Sequence, residues 1–154
     1  MRRANRGADV DYCKRYTFLT LVSFLLVFKI QAADSLIPVY LGAERFQARV
    51  ARTIDQQRRG LMNEAYLPKD AAMLFVFHNV GRHPFWMKNT LIPLDIIWIN
   101  KNKKIVYIKE DFLPCRSEQC PDENPDVDAL YVLEVNAGTA KKLKIQIGDK
   151  VDFL

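Results

Sequence analysis

The sequence predicts a β-rich α+β domain, with a compact barrel-like or strongly bent, mainly antiparallel sheet and two short helices. Two observations predict this class. Apolar and polar residues alternate with period two in several segments, as in strands that have one face in water. Only two short segments have the spacing of apolar residues that is typical of helices. Short strands, turns and few helices favour a sheet that curves around one core.

The first half of the domain is expected to contain a hairpin, a helix and a buried strand. Residues 37–50 alternate around a Gly-Ala-Glu turn, which predicts the hairpin. Thr53 and Gln56 have the spacing of a capping box, so we expect a helix over about 54–61. Residues 72–77 are continuously apolar, as in a central strand that is buried on both faces.

The second half is expected to be mostly strand. Residues 94–99 are predicted to form a strand with two apolar faces. A turn and a second strand, ending at residue 109, follow it, so the sequence predicts a second hairpin. The segment 111–128 has three prolines, two cysteines and six acidic residues, which indicates a long polar loop. The other expected elements are a turn at 80–84, a short strand at 85–88, a strand at 130–135, a helix over about 138–144 and a last strand near the C-terminus.

Residues 1–32 have the pattern of a secretory signal peptide. A basic start precedes an apolar run of 12 residues at 17–28, and small residues follow it. The run is shorter than the roughly 20 residues that a membrane span needs, although an uncleaved anchor is the alternative. We therefore expect a leader at 1–32 and a single domain at 33–154. This domain would be periplasmic or extracellular and have no stable membrane span after cleavage.

The formal charge of +5 comes mainly from the predicted leader. Its removal would leave 17 basic and 16 acidic residues. A nearly neutral domain lacks the electrostatic footprint of a nucleic-acid binder. We therefore expect a monomer that has no nucleic-acid partner and that binds an unknown small ligand or cell-envelope component.

Cys115 and Cys120 are the two cysteines that would remain after cleavage, because Cys13 lies in the leader. An even pair in an exported protein predicts a disulfide. A metal or redox site is the alternative, but four residues separate the cysteines and no histidine lies near them. The loop is short, so the entropic contribution to stability is only about 2 kcal/mol. The disulfide is expected to fix a local loop.

Residues 85–95 place polar side chains among large apolar ones. Polar groups are costly to bury unpaired, so such residues usually form a specific network or face a ligand. One hypothesis is a shallow site near Met62, in which Trp86 stacks on the ligand while Lys88 and Asn89 donate hydrogen bonds. The alternative is a strand with Trp86 in the core and Lys88 reaching the surface.

Asp95 and Glu134 are acidic residues within apolar strands. Asp95 is included in the candidate ligand site, although an ion pair or a turn cap would also explain it. A small hydrolase that uses Asp95 with Lys88 or Glu134 is the second functional hypothesis. The sequence has no Ser or Cys nucleophile signature and no Gly-rich phosphate loop, so an enzyme is less favoured than a binding protein.

A soft-metal site is the third hypothesis. His78 and His83 flank a turn, and Met62, Met73 and Met87 could supply thioether ligands for Cu(I). Methionines in apolar runs usually belong to the core, so we expect no metal site and no cofactor.

Several segments together resemble the family known as domain of unknown function 192 (DUF192). The resemblance covers about residues 38–153 and implies a small, β-rich, single-domain protein, often exported in bacteria. It implies no catalytic residues, because the family has no established mechanism. A ligand-binding or accessory protein of the cell envelope is therefore the expected function. The segments that carry the resemblance are Arg59-Gly60-Leu61-Met62, residues 73–77, residues 85–99, Cys115 with Cys120 before Pro121, residues 131–138 and Gly148-Asp149.

Overall fold

The computed structural model describes residues 36–154, so the predicted leader lies outside the described residues. These residues form nine strands and two short helices, largely in the predicted order. The elements are β1 (Leu36–Leu41), β2 (Glu44–Ala51), α1 (Ile54–Arg59), β3 (Ala71–Gly81), β4 (Phe85–Trp86), β5 (Leu94–Ile99), β6 (Ile105–Phe112), β7 (Asp122–Glu123), β8 (Ala129–Asn136), α2 (Thr139–Leu143) and β9 (Val151–Phe153).

Seven strands form one curled sheet in the order β6-β5-β8-β3-β2-β1-β9. Neighbouring strands are antiparallel except β2 and β3, which are parallel and are joined by the crossover that contains α1. The sheet edges meet, because Val151 N–H donates to Lys103 O (2.9 Å) and Gly148 N–H donates to Ile105 O (2.8 Å). The predicted barrel-like, mainly antiparallel fold is confirmed.

Two apolar cores lie on opposite faces of this sheet. The inner core takes residues from all seven strands, and the outer core covers the other face of β3, β5 and β8. Residues 94–99 contribute to both, as predicted: Ile97 and Ile99 lie in the inner core, and Ile96 and Trp98 lie in the outer core. No helix within residues 36–154 is long and apolar enough to cross a bilayer.

The predicted capping box is present at the start of α1. Thr53 Oγ1 accepts from Gln56 N–H (3.2 Å), and the Gln56 side chain accepts from Thr53 N–H (3.0 Å). These bonds satisfy donors that a helix start leaves free. The helix ends at Gly60, whose φ is +47°.

The prediction was wrong about the end of β3 and about the segment 111–128. Strand β3 continues to Gly81 instead of ending near Phe77, because its last residue pairs with Ala129 of β8. The segment 111–128, predicted as a loop, contains β7, which pairs with β4. Both differences come from pairing between residues far apart in the sequence, which local patterns do not report.

Candidate functional site

Residues 87–90 join two distant parts of the chain through backbone hydrogen bonds. On one side, Asn63 N–H in the turn after α1 donates to Asn89 O (2.8 Å). On the other side, Cys115 N–H donates to Met87 O (3.1 Å). The turn after α1 and the cysteine loop are thereby held against the segment that carries Trp86.

The predicted disulfide is present, with 2.11 Å between Cys115 Sγ and Cys120 Sγ. Cys115 forms a bridge with Lys88, and β7, which follows Cys120, pairs with β4. The disulfide therefore closes a loop between two points at which the chain pairs with the 85–88 segment.

Trp86, Lys88 and Asn89 lie at the surface rather than in the core. The Trp86 side chain is 47% exposed, and Lys88 Nζ lies 5.5 Å from the centroid of its ring. Asn89 is exposed, with φ +56°, and Met62 is half-buried near this segment. The structure thus brings Met62, Trp86 and Lys88 to one side of the molecule.

Asp95 lies apart from these residues and is fully buried. Its Oδ1 accepts from Asp111 N–H (2.9 Å) and Gly138 N–H (3.2 Å), and its Oδ2 accepts from Ala140 N–H (2.8 Å). Three backbone donors satisfy this carboxylate, which holds the first turn of α2 against the end of β6. From the sequence, Asp95 is considered as a ligand-site residue, an ion-pair partner, a turn cap or a catalytic residue. These backbone contacts agree with the turn cap.

The side chains of Asp95 and Glu134 point to opposite faces of the sheet. In the register between β5 and β8, Asp95 pairs with Val135 and Ile96 pairs with Glu134. Successive residues of a strand alternate between faces, so this offset of one residue separates the two carboxyl groups. A catalytic pair of Asp95 and Glu134 is therefore not formed.

Glu134 is instead buried in the outer core beside the end of α1. It is 5% exposed, and its Oε2 has no hydrogen-bond partner in the described part of the chain, residues 36–154. Burial raises the pKa of Glu134 to about 8, and the nearby positive charge of Arg49 opposes this increase. The group is thus mainly a neutral carboxylic acid near pH 7.

A small cleft of about 30 Å³ lies over the Glu134 carboxyl. We call it the Glu134 cleft. This volume is enough for one water molecule or one small polar group. Besides the last turn of α1, its lining includes Gly60, Met62, Phe75, Trp86, Thr90 and Glu134.

An open groove of about 260 Å³ continues from this cleft along α1. We call it the α1 groove. The two cavities share Phe75, Phe85 and Trp86 in their walls, while Ile54 and Phe77 line only the groove. A ligand could therefore place an apolar body in the groove and a polar group in the cleft.

The aromatic wall of the groove is anchored in the outer core. The Phe85 ring meets Phe75 edge-on at 4.8 Å and Trp98 at 5.5 Å between centroids. Trp98 Nε1 also donates to His83 O (2.8 Å). Such edge-to-face contacts fix ring orientations, so β4 holds Trp86 on a packed support.

The residues proposed for a metal site have other surroundings. His83 stacks on Phe77 with 3.6 Å between ring centroids, Met87 is buried in the outer core, and His78 is exposed. Within residues 36–154, no group of three or more His, Cys, Asp and Glu side chains is placed to hold a metal ion.

The family model of DUF192, described as "Uncharacterized ACR", matches residues 39–153. The chain belongs to the DUF192 family. Two solved structures resemble this DUF192 domain. A protein of unknown function from Novosphingobium aromaticivorans is 32% identical, with a TM-score of 0.68 over 76% of this chain and 83% of the other. A candidate transcription regulator from Sinorhizobium meliloti is 31% identical, with a TM-score of 0.67 over 77% and 92%. The comparison with curated proteins gave no match.

Sequence reasoning missed two features of this DUF192 domain that the structure brings together. From the sequence, Gly60 is named only within a segment that carries the family resemblance, and Glu134 is considered only as a partner for Asp95. The sequence did contain a signal for Glu134, since one acidic residue interrupts the apolar run of β8. An acid in such a position needs a partner or loses its charge.

Proposed function

We propose that this DUF192 protein is an exported ligand-binding or accessory protein of the cell envelope, and that its ligand occupies the Glu134 cleft and the α1 groove. One observation carries this proposal: Glu134 lines a cleft beside the exposed Trp86, and its buried Oε2 has no hydrogen-bond partner among residues 36–154. An unsatisfied buried polar group costs about 1–3 kcal/mol. A ligand that forms the missing hydrogen bond would remove this cost.

Trp86 would supply an aromatic face for the ligand, and Met62 would line the cleft. Lys88 and Asn89 would extend the site along the surface, where Lys88 lies over the Trp86 ring. Asp95 would not contact the ligand and would contribute to binding only by stabilising the fold. The leader pattern and the disulfide both support export.

Other functions have less support. The hydrolase hypothesis loses the Asp95–Glu134 pair, because the two groups lie on opposite faces of the sheet. The Sinorhizobium meliloti relative is named a candidate transcription regulator. The near balance of 17 basic and 16 acidic residues in 33–154 does not favour direct DNA binding by this chain.

Tryptophan fluorescence gives a direct test, because Trp86 is half-exposed and Trp98 is fully buried. The purified protein would be screened against sugars, short peptides and small organic acids. A ligand of this site should change the Trp86 emission and raise the melting temperature by linkage. Both effects should be lost in Trp86→Ala.

A matched control is Tyr66→Ala, which removes an exposed aromatic ring from a different surface depression. Ligand binding should be unchanged in this variant. A ligand whose thermal shift persists in Trp86→Ala but disappears in Tyr66→Ala would contradict the proposed site.

A further inference from the structure

The deep end of the proposed site offers a hydrogen-bond donor. Glu134 lines the cleft, its Oε2 is buried without a hydrogen-bond partner among residues 36–154, and burial disfavours the charged form of this carboxyl. A neutral carboxylic acid has an O–H to donate. Its natural partner in the Glu134 cleft is therefore a hydrogen-bond acceptor.

The charged groups around the cleft favour an anion as that acceptor. Strand β2 contributes Arg49, which is paired with Glu64 in the turn after α1 (2.9 Å). Helix α1 contributes Arg58 and Arg59, which line the cleft and make no ion pair within residues 36–154. Strands β3 and β5 place the apolar residues Met73 and Ile96 beside Glu134 in the sheet register.

The α1 groove requires an apolar body on the same ligand. Ile54, Phe77, Phe85 and Trp86 line it, and Ile54 and Trp86 are exposed there. Its volume of about 260 Å³ is just below the range of roughly 300–1,000 Å³ that is usual for ligand sites. The groove therefore suits a body about the size of one ring or a short alkyl chain.

We propose that the ligand is a small monocarboxylate with an apolar body. Its carboxylate accepts a hydrogen bond from the Glu134 carboxyl and lies near Arg58 and Arg59, while the body packs along Phe77, Phe85 and Trp86. This inference rests on the proposed function and adds the chemical class of the ligand. No covalent step is involved, and Glu134 keeps its proton on binding.

Three probes test whether the ligand is a carboxylate. They share a phenylpropyl body and differ in the polar group: 3-phenylpropanoate, 3-phenylpropanamide and 3-phenylpropylamine. The purified protein would be titrated with each one, with Trp86 emission and thermal shift as readouts. At about pH 6.5 the propanoate should bind about tenfold more tightly than the other two. At about pH 9.5 its affinity should fall about tenfold or more, because Glu134 is then ionised and no longer donates.

Variants separate the roles of the charged residues. Glu134→Gln retains an N–H donor, so it should keep propanoate binding and lose the decrease at high pH. Arg58→Gln and Arg59→Gln should each weaken the binding of the propanoate more than the binding of the neutral amide. Arg45→Gln, which changes a cation lining a different depression, should have no effect.

Different results separate this inference from the proposed function. Tighter binding of the amine, equal binding of all three probes, or an unchanged pH dependence in Glu134→Gln would overturn the carboxylate inference. The groove would still be a binding site if Trp86→Ala abolished those signals. If no probe binds at millimolar concentration, the carboxylate inference fails, and the wider screen of sugars and peptides decides the proposed function.

Discussion

Gly60 lies against the carboxyl group of Glu134. A Cβ atom on Gly60 would stand 3.9 Å from Glu134 Oε2 and 3.3 Å from Cζ of Phe75. Gly60 also has φ +47° and ψ −132°, a conformation that other residues rarely adopt. A side chain at this position is therefore disfavoured by the backbone conformation and by the close Phe75 ring, whereas its Cβ would be in ordinary contact with the Glu134 carboxyl.

This relationship predicts a large effect of Gly60→Ala. Gly42→Ala is the matched control, because Gly42 also has a positive φ (+61°) but no atom of residues 36–154 outside its chain neighbours lies within 4 Å of its Cβ position. We expect Gly42→Ala to lower the free energy of unfolding by about 1 kcal/mol and Gly60→Ala to lower it by about 2–3 kcal/mol. Urea unfolding of both variants measures the difference. Equal losses would mean that Phe75 and Glu134 tolerate the added methyl group.

The buried acid also predicts how stability depends on pH. The pKa of Glu134 is about 8 in the folded protein and 4.5 when unperturbed. Between these values the folded state holds a proton that the unfolded state has released, so this group lowers stability as pH rises. Glu134→Gln should therefore be more stable than wild type near pH 8, by up to about 3–4 kcal/mol, with little difference below about pH 4.

Chemical unfolding across this pH range measures the Glu134 effect. Glu118→Gln, which changes an exposed acid, is the control and should follow the wild-type profile. A Glu134→Gln curve that runs parallel to wild type at all pH values would show that folding does not raise the pKa of Glu134.

The elements that the sequence predicts correctly are those that local chemistry determines. The Thr53–Gln56 capping box spans four residues, and the two faces of residues 94–99 follow from alternation alone. The predictions that failed, such as the pairing of Asp95 with Glu134, depend on the register between strands that are distant in the sequence. A shift of one residue between β5 and β8 would place Asp95 and Glu134 on the same face, and nothing in either strand fixes that shift.

The candidate site was only partly predictable for the same reason. Trp86 was identified from its polar neighbours, whereas the cleft beside it depends on the approach of Gly60 to Glu134, 74 positions further along the sequence. A bridge between Met62 and Thr90, which also lines the cleft, likewise joins two segments that have no shared local pattern.

The disulfide is expected to stabilise the site locally more than the whole fold. Replacing Cys115 and Cys120 by Ser should lower the free energy of unfolding by about 2 kcal/mol. Amide hydrogen exchange should increase more in residues 85–90, which pair with the cysteine loop, than in β5 and β8, where it should rise only by the loss in global stability. Ser117→Ala, within the same loop, is the control. Equal increases in β5 and β8 would contradict a local role.

Asp95→Asn should destabilise the fold without changing the binding site. The Asp95 carboxylate accepts three backbone hydrogen bonds, whereas an amide has one acceptor oxygen and would turn an N–H group towards backbone donors. We expect a loss of about 2–4 kcal/mol in the free energy of unfolding. Asp149→Asn is the control, because that exposed carboxylate accepts a backbone bond from Gln146 (2.8 Å) and should lose less than about 1.5 kcal/mol. The response of Trp86 to a bound ligand should be unchanged in folded Asp95→Asn. A weakened response together with wild-type stability would instead place Asp95 in the binding site.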